Sequence, residues 1–334
     1  MKSVLMPRLK ELGILLVLIV LVIGFSLATP NFLDPANIFN IARQVATLGI
    51  CAVGFSFVLI TGGIDLSIGY QISLNVVVTG MLMARFEVPW YAACLAALVL
   101  GALIGVVNGL IITLTGVAPL IVTLSMMMIL NGVSYLLSGG LPIFGFPAEF
   151  SVLGQGAIAG VIPVSLLFLV AVWAIGLFIL DKTYVGRYFY AIGNNAEAAR
   201  LSGVNTRRTI VFVYALCGFF TAIGAVLLLS RLNSAQSATG AGFEFTVLTA
   251  CVLGGISVMG GRGRLFGAFV GVLIVGVLDN GLVLMNVSEY VQLVIKGCIL
   301  LAAVVYDAMS KNSRGRRKQI GGVPLSVPAT PVAA

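Results

Sequence analysis

Ten apolar blocks, divided by short polar or Gly/Pro-rich punctuation, run through this chain at 12–28, 38–60, 68–84, 91–115, 118–137, 161–180, 209–230, 243–260, 265–285 and 289–308. Crossing ~30 Å of hydrocarbon at ~1.5 Å per residue takes roughly 20 apolar residues in helical form. Lipid offers no partner to a peptide N–H or C=O, so such blocks must satisfy their own hydrogen bonds, as helices do. The expected fold is all-α: a polytopic transmembrane helix bundle of about ten spans, with no room for a sizeable soluble domain. The third and eighth blocks are the weakest, being short or rich in glycine and polar groups. Composition agrees. Hydrophobic residues make up 60% and charged ones 9%, against roughly 25% charged in a soluble domain.

Charge placement orients the bundle. Of nineteen Lys and Arg, Arg85 and Arg231 alone fall outside when the amino terminus is set in the cytoplasm. Arg43 and Lys296 lie within spans, and the rest are cytoplasmic. This bias predicts cytoplasmic termini and an even number of crossings. It also accounts for the net charge of +8 without a nucleic-acid partner. The first block, ending in Ser26-Leu27-Ala28, has the flavour of a secretory signal. It is longer than a signal core, and its removal would oppose the charge bias, so retention is expected.

The chain divides into a transmembrane domain at 1–310 and a tail at 311–334. The tail is basic, which suits anionic headgroups, and then Gly/Pro/Val/Ala-rich, which predicts disorder. An outside loop at 138–160 has no Lys or Arg, and the longest cytoplasmic loop is 181–208. Gly62-Gly63-Ile64 is matched by Gly254-Gly255-Ile256, and 101–110 resembles 271–282. Either a diverged internal repeat or a shared glycine-rich composition explains this.

Histidine is absent, which removes His-based catalysis and His-bearing metal sites. All five cysteines sit inside apolar blocks as small packing residues. No metal cluster or catalytic constellation is expected, and the chain is not read as an enzyme.

Several polar groups remain at membrane depth. In Thr61-Gly62-Gly63-Ile64-Asp65-Leu66-Ser67, glycines break an apolar stretch and bring in a carboxylate and a hydroxyl. Asp65 and Ser67 either cap the next span or face a polar path, and the two roles are compatible. Arg43, Asp279 and Lys296 pair internally or, for the two cations, snorkel. Asn75, Asn108, Asn131, Asn280 and Gln292 suit a hydroxylated neutral solute or interhelical hydrogen bonds. Together with Asp65, Ser67 and Asp279 they are the candidate translocation path. Gly101, Gly105 and Gly109, like Gly263, Gly267 and Gly271, recur every fourth residue and predict close helix packing, with a dimer interface as the alternative for one strip.

The segment from Gly193 to Val204 predicts a short cytoplasmic helix. Asn194 is placed to cap it with Glu197 at the third position, and Gly203 to close it. Such a helix is either a plain surface element or a docking knob. No Gly-x-x-x-x-Gly-Lys-Ser/Thr segment occurs, so any ATP must be bound by another chain.

Three ordered motifs, Gly62–Gly69, Gly193–Val204 and Leu253–Gly263 followed by Asn280-Gly281-Leu282, resemble the membrane permeases of ribose/xylose-type ABC sugar importers. The resemblance covers roughly residues 10–308. It implies a permease of the bacterial cytoplasmic membrane that pairs with itself or a sister subunit. It further implies two ATPase subunits, which carry ATP and Mg, and an extracytoplasmic sugar-binding protein. In that scheme Gly193, Asn194, Asn195, Glu197, Ala198, Ala199, Arg200, Ser202 and Gly203 couple the permease to the ATPase. Asp279 beside Asn280 and the long tail depart from the usual pattern. The alternative is an ion-coupled secondary transporter that uses Asp65 or Asp279.

Overall fold

The computed structural model describes residues 2–320. The helices are α1 (Lys2–Ala28), α2 (Pro35–Ile60), α3 (Ile68–Ala84), α4 (Trp90–Thr115), α5 (Pro119–Ser138), α6 (Ala148–Gln155), α7 (Val164–Leu177), α8 (Tyr184–Asn194), α9 (Ala196–Leu201), α10 (Thr206–Leu232), α11 (Phe243–Leu253), α12 (Leu265–Leu284) and α13 (Glu289–Ile320). A π-helical turn, Phe178–Lys182, joins α7 to α8. A two-residue hairpin, β1 (Ala157–Ile158) with β2 (Ile162–Pro163), follows α6. Every apolar block contains a helix, so the chain is an all-α polytopic membrane protein. The expected tail from 321 onward lies outside the described residues.

Among the described residues, seven helices are long and apolar enough to cross a membrane, and Gly13–Ala28, Ile68–Ala84 and Phe243–Leu253 are shorter apolar helices. The block at 243–260 differs most from expectation. Its helix stops at Leu253, and Gly254, Gly255, Gly260, Gly261 and Gly263 carry the chain through a loop. Eleven residues rise only about 16 Å, which is half a bilayer.

Burial explains the order of the layers. From Val45 to Ile60, α2 is buried on all sides and forms the centre of the bundle, wrapped by α7, α8, α10, α11 and α12. A helix that is apolar all round belongs in a core or in lipid, and here it is protein that covers it. The opposite case is α4, whose Gly101, Gly105 and Gly109 face inward while Leu95 is 63% exposed. Exposed leucine and valine along one whole helix face is a surface meant for lipid.

The two ends of the bundle are finished differently. At one end α6 docks on the end of α10: Ser230 Oγ donates to Phe150 O at 2.6 Å and accepts from Gly154 N at 2.8 Å, while Arg43 donates to Gln155 O at 2.5 Å. At the other end α8 and α9 cover the close of α2. The loop expected at 138–160 is thus an ordered cap carrying α6.

Candidate functional site

Three glycine-containing segments converge beneath α9. Gly261 donates its N–H to Ile60 O at 2.8 Å. A Cβ on Gly193 would collide with that same carbonyl and with Gly261 N, and one on Gly260 would lie 2.7 Å from Gly62 Cα. Three backbones meet here with no side chain between them, which only glycine permits. Gly260 and Gly261 also hold φ of +77° and +71°. All three motifs behind the family resemblance therefore contribute to one junction, although sequence separation gave no hint of their contact.

Side chains brace it. Asn194 Nδ2 donates to Tyr190 O at 2.8 Å and to Gly261 O at 3.3 Å. Tyr190 donates to Gly263 O at 3.0 Å. Burial first, and then the Asp181 carboxylate, hold that phenol above its ordinary range, so it remains a donor. Asp307 near the end of the apolar part of α13 accepts from Ser257 Oγ at 2.9 Å and Val258 N at 3.3 Å, which fixes the loop after α11.

Rising from this junction, α9 differs from expectation in its cap. Asn195, not Asn194, is the N-cap, and its side chain accepts from Ala198 N at 3.0 Å. Asn194 instead ends α8 and holds Gly261, so the capping box with Glu197 at the third position does not form. Glu197 is the second helical residue and pairs with Arg200 at 2.6 Å. Hydrogen bonding to Arg200 lowers the Glu197 carboxyl below its ordinary range. Gly203, at φ +87°, follows the helix end. Ala199 is buried, whereas Asn195, Glu197, Ala198, Arg200, Ser202 and Gly203 face outward.

The candidate path residues fall into two separate groups. Around α3, Asp65 Oδ1 accepts from Ser67 N at 3.0 Å and Ser67 Oγ at 2.5 Å, and Asn108 donates to Ser67 Oγ at 2.9 Å. Ser67 is the N-cap by position but makes no side-chain cap bond. Gln71 bridges Gly101 O and Gly218 O, at 2.8 and 3.2 Å, and Asn75 donates to Gln71 O. Buried oxygens of Asp65, Gln71, Asn75, Thr79 and Asn108 have no partner, as does Asn131 Oδ1. Gln71, Asn75 and Thr79 share one face of α3 at i, i+4, i+8.

The second group lies across the bundle. Asp279 pairs with Lys296 at 3.0 Å, and Asn280 exchanges hydrogen bonds with Asn37 at 2.9 and 2.7 Å. Gln292 donates to Val287 O at the end of the bundle near the α12–α13 turn. Asp279 Oδ1 is left without a hydrogen-bond partner, and the ion pair and the amide exchange tie α12 to α13 and α2.

Of the glycine strips, Gly101, Gly105 and Gly109 press on the α10 backbone at Gly218, Tyr214 and Val211, and Gly267 and Gly271 on α11 at Gly254 and Ala250. Gly263 is not part of its strip. It precedes α12, at φ +139°, and packs on Ile256. Both strips are occupied within this chain, so neither is free for a second copy.

Two carboxylates escaped the sequence reading. Asp307 lies within the last apolar block, at 289–308. Glu244, 3% exposed, lies in the first turn of α11. A lone acid just after Gly240-Ala241-Gly242, inside an apolar block, was the available signal.

Glycine-tight helices, a polar interior and an exposed helical knob define a membrane transport permease. The model of the family described as "Branched-chain amino acid transport system / permease component" matches residues 37–304, and the chain belongs to that family. It is 42% identical over 305 residues to the ribose import permease protein RbsC of Bacillus subtilis, covering 89% of this chain and 92% of that one. It is 37% identical to the galactose/methyl galactoside import permease protein MglC of Salmonella typhimurium, covering 90% and 95%. Identity to the probable ABC transporter permease protein YphD of Escherichia coli is 35%, covering 95% and 96%. No solved structure matches significantly. These relatives are permease subunits rather than enzymes, and the chain is a multi-pass protein of the inner membrane.

Proposed function

We propose that this chain is the membrane subunit of an ABC importer for a monosaccharide and works by alternating access. The observation that carries this reading is the junction beneath α9. A knob projecting from the membrane body is tied, backbone to backbone, to the ends of α2 and α11, so a push on α9 has no slack to absorb it. ATP and Mg2+ are held by two partner ATPase subunits docked on the outward side chains of α9, and an extracytoplasmic binding protein delivers solute to the α6 end. A second permease, identical or sister, completes the path. The α9 face is cytoplasmic, as are both termini. Ten crossings result when 233–242 and α11 together count as the eighth.

The names of the relatives favour sugars, while the family description names amino acids. A single experiment separates them. The permease, its ATPase and its binding protein are reconstituted in proteoliposomes, and uptake of radiolabelled D-ribose, D-xylose, D-galactose and L-leucine is measured with and without ATP. Nucleotide-dependent uptake of a sugar, and not of leucine, is expected. Sugar uptake that persists without the ATPase defeats the reading and restores the ion-coupled alternative.

A further inference from the structure

We propose that Glu244 forms the contact that holds the hydroxyl groups of the transported solute halfway across the bundle. The inference rests on the sugar-import reading above and adds a site to it.

Depth comes first. Gln71 donates to Gly101 O and Gly218 O, and these carbonyls lie midway along α4 and α10. The start of α3 is therefore at mid-bundle. The start of α11 is there too, because Gly240 donates to Ser73 Oγ at 3.0 Å and a Cβ on Gly69 would overlap the Glu244 carboxylate. Two helices thus begin inside the membrane, side by side, and Glu244 stands between their amino-terminal ends. Discontinuous helices that meet at this depth are where a transport protein can present polar groups to cargo.

The state of Glu244 is the second observation. It is 3% exposed, yet its Oε2 has no hydrogen-bond partner. No basic side chain within the described residues is paired with it, unlike Asp279, which Lys296 neutralises. A carboxylate kept at membrane depth with an unused acceptor, aimed at a neighbouring helix start, is costly unless something is to occupy that acceptor.

Chemistry selects the occupant. A carboxylate accepts hydrogen bonds from two adjacent hydroxyls at once. An anionic solute would be repelled here. In this conformer Gly69 and Gly240 close over the carboxylate. The other end of α11 leads through Gly261 to Asn194 beside α9, so displacement of α9 is what uncovers Glu244.

The test uses the same proteoliposomes. Wild-type protein that carries none of D-ribose, D-xylose or D-galactose overturns the sugar-import reading itself. Where the wild type carries one, Glu244→Gln should cut its maximal uptake at least tenfold while the assembled complex still elutes intact. Unchanged uptake overturns this inference alone. Binding is read separately with Ala241→Cys, exposed one turn before Glu244, in a chain whose other cysteines are replaced by serine or alanine, so that the Glu244 carboxylate stays in place. A thiosulfonate reagent should label Ala241→Cys in the ATPase-trapped complex, and the transported sugar at millimolar concentration should slow labelling several-fold, a protection that adding Glu244→Gln should abolish. The control Glu289→Cys, at the bundle's exposed end, should label equally with and without sugar. Equal labelling of Ala241→Cys with and without sugar, or protection that survives Glu244→Gln, assigns Glu244 a packing role and overturns the proposal.

Discussion

Beneath α9 the bundle is broken by glycine so that three backbones touch, and there the flanking polar groups of Asn194, Tyr190 and Asp307 all find partners. Around α3 glycine also breaks the bundle, but buried oxygens of Asp65, Gln71, Asn75, Thr79 and Glu244 are left without partners. Buried polar groups are normally satisfied, so the contrast has a meaning. A junction with every bond made is rigid and transmits displacement. An interior with bonds unmade keeps capacity for a guest. The two regions are linked by α11, whose ends lie one in each.

The largest expected effect comes from filling the junction. Gly193→Val places a branched side chain against Ile60 O and Gly261 N, where neither backbone can yield. Overpacking of this kind costs about 1–3 kcal/mol or more, and ATP-driven uptake should fall at least tenfold while ATP hydrolysis by the complex continues. Retained uptake would show that the junction does not transmit. Next is Ala199→Pro, which removes the Ala199 N–H to Asn195 O bond that begins α9; an interior proline costs roughly 3 kcal/mol. Uptake should be uncoupled with membrane insertion intact. Proline at Glu197, by contrast, falls at the second helical position, where no helical bond is lost, and should be far milder.

Breaking the Asp279–Lys296 pair sharpens the comparison from the other side. Lys296→Met leaves a carboxylate, 10% exposed, without its partner and should lower stability by about 3 kcal/mol, read as a drop in melting temperature in detergent. Pairing it with Asp279→Leu should recover most of the loss. That recovery would mark this group as structural, distinct from the acceptors around α3, where Asp65 is paired with no cation among the described residues. A smaller change is expected from Asn195→Ala. Losing the cap costs about 1 kcal/mol, seen as faster amide exchange confined to α9.

The smallest concerns pH. Glu197 is lowered in the fold by its bond to Arg200, so its support for α9 is complete above the ordinary glutamate range. That support is lost as pH falls through the lowered value. Glu197→Gln should make α9 exchange slightly faster at neutral pH, as the wild type does in acid, and should leave no further acid-side loosening.

Much of this was legible in the sequence because membrane helices obey length and polarity rules. The boundaries of α3 and α12 follow directly from apolar runs ending at Arg85 and Asn286. What could not be read was contact between distant segments. Gly62, Gly193 and Gly261 each look like local breaks, and nothing in spacing joins them. The cap of α9 was misplaced by one residue because Asn194 and Asn195 are chemically identical candidates. Only the bond from Asn194 to Gly261 decides between them. Glu244 was overlooked because its block reads as one span, whereas its helix is a half-span that starts beside α3.

The central claim is that α9 receives the push of a separate motor. A photo-crosslinking amino acid placed at Ala198, on the outward side of α9, tests it in the assembled importer. Adducts with the ATPase subunit, whose yield changes when nucleotide is trapped, are the predicted result. Adducts that never include an ATPase subunit, in a complex that still transports, would contradict the account.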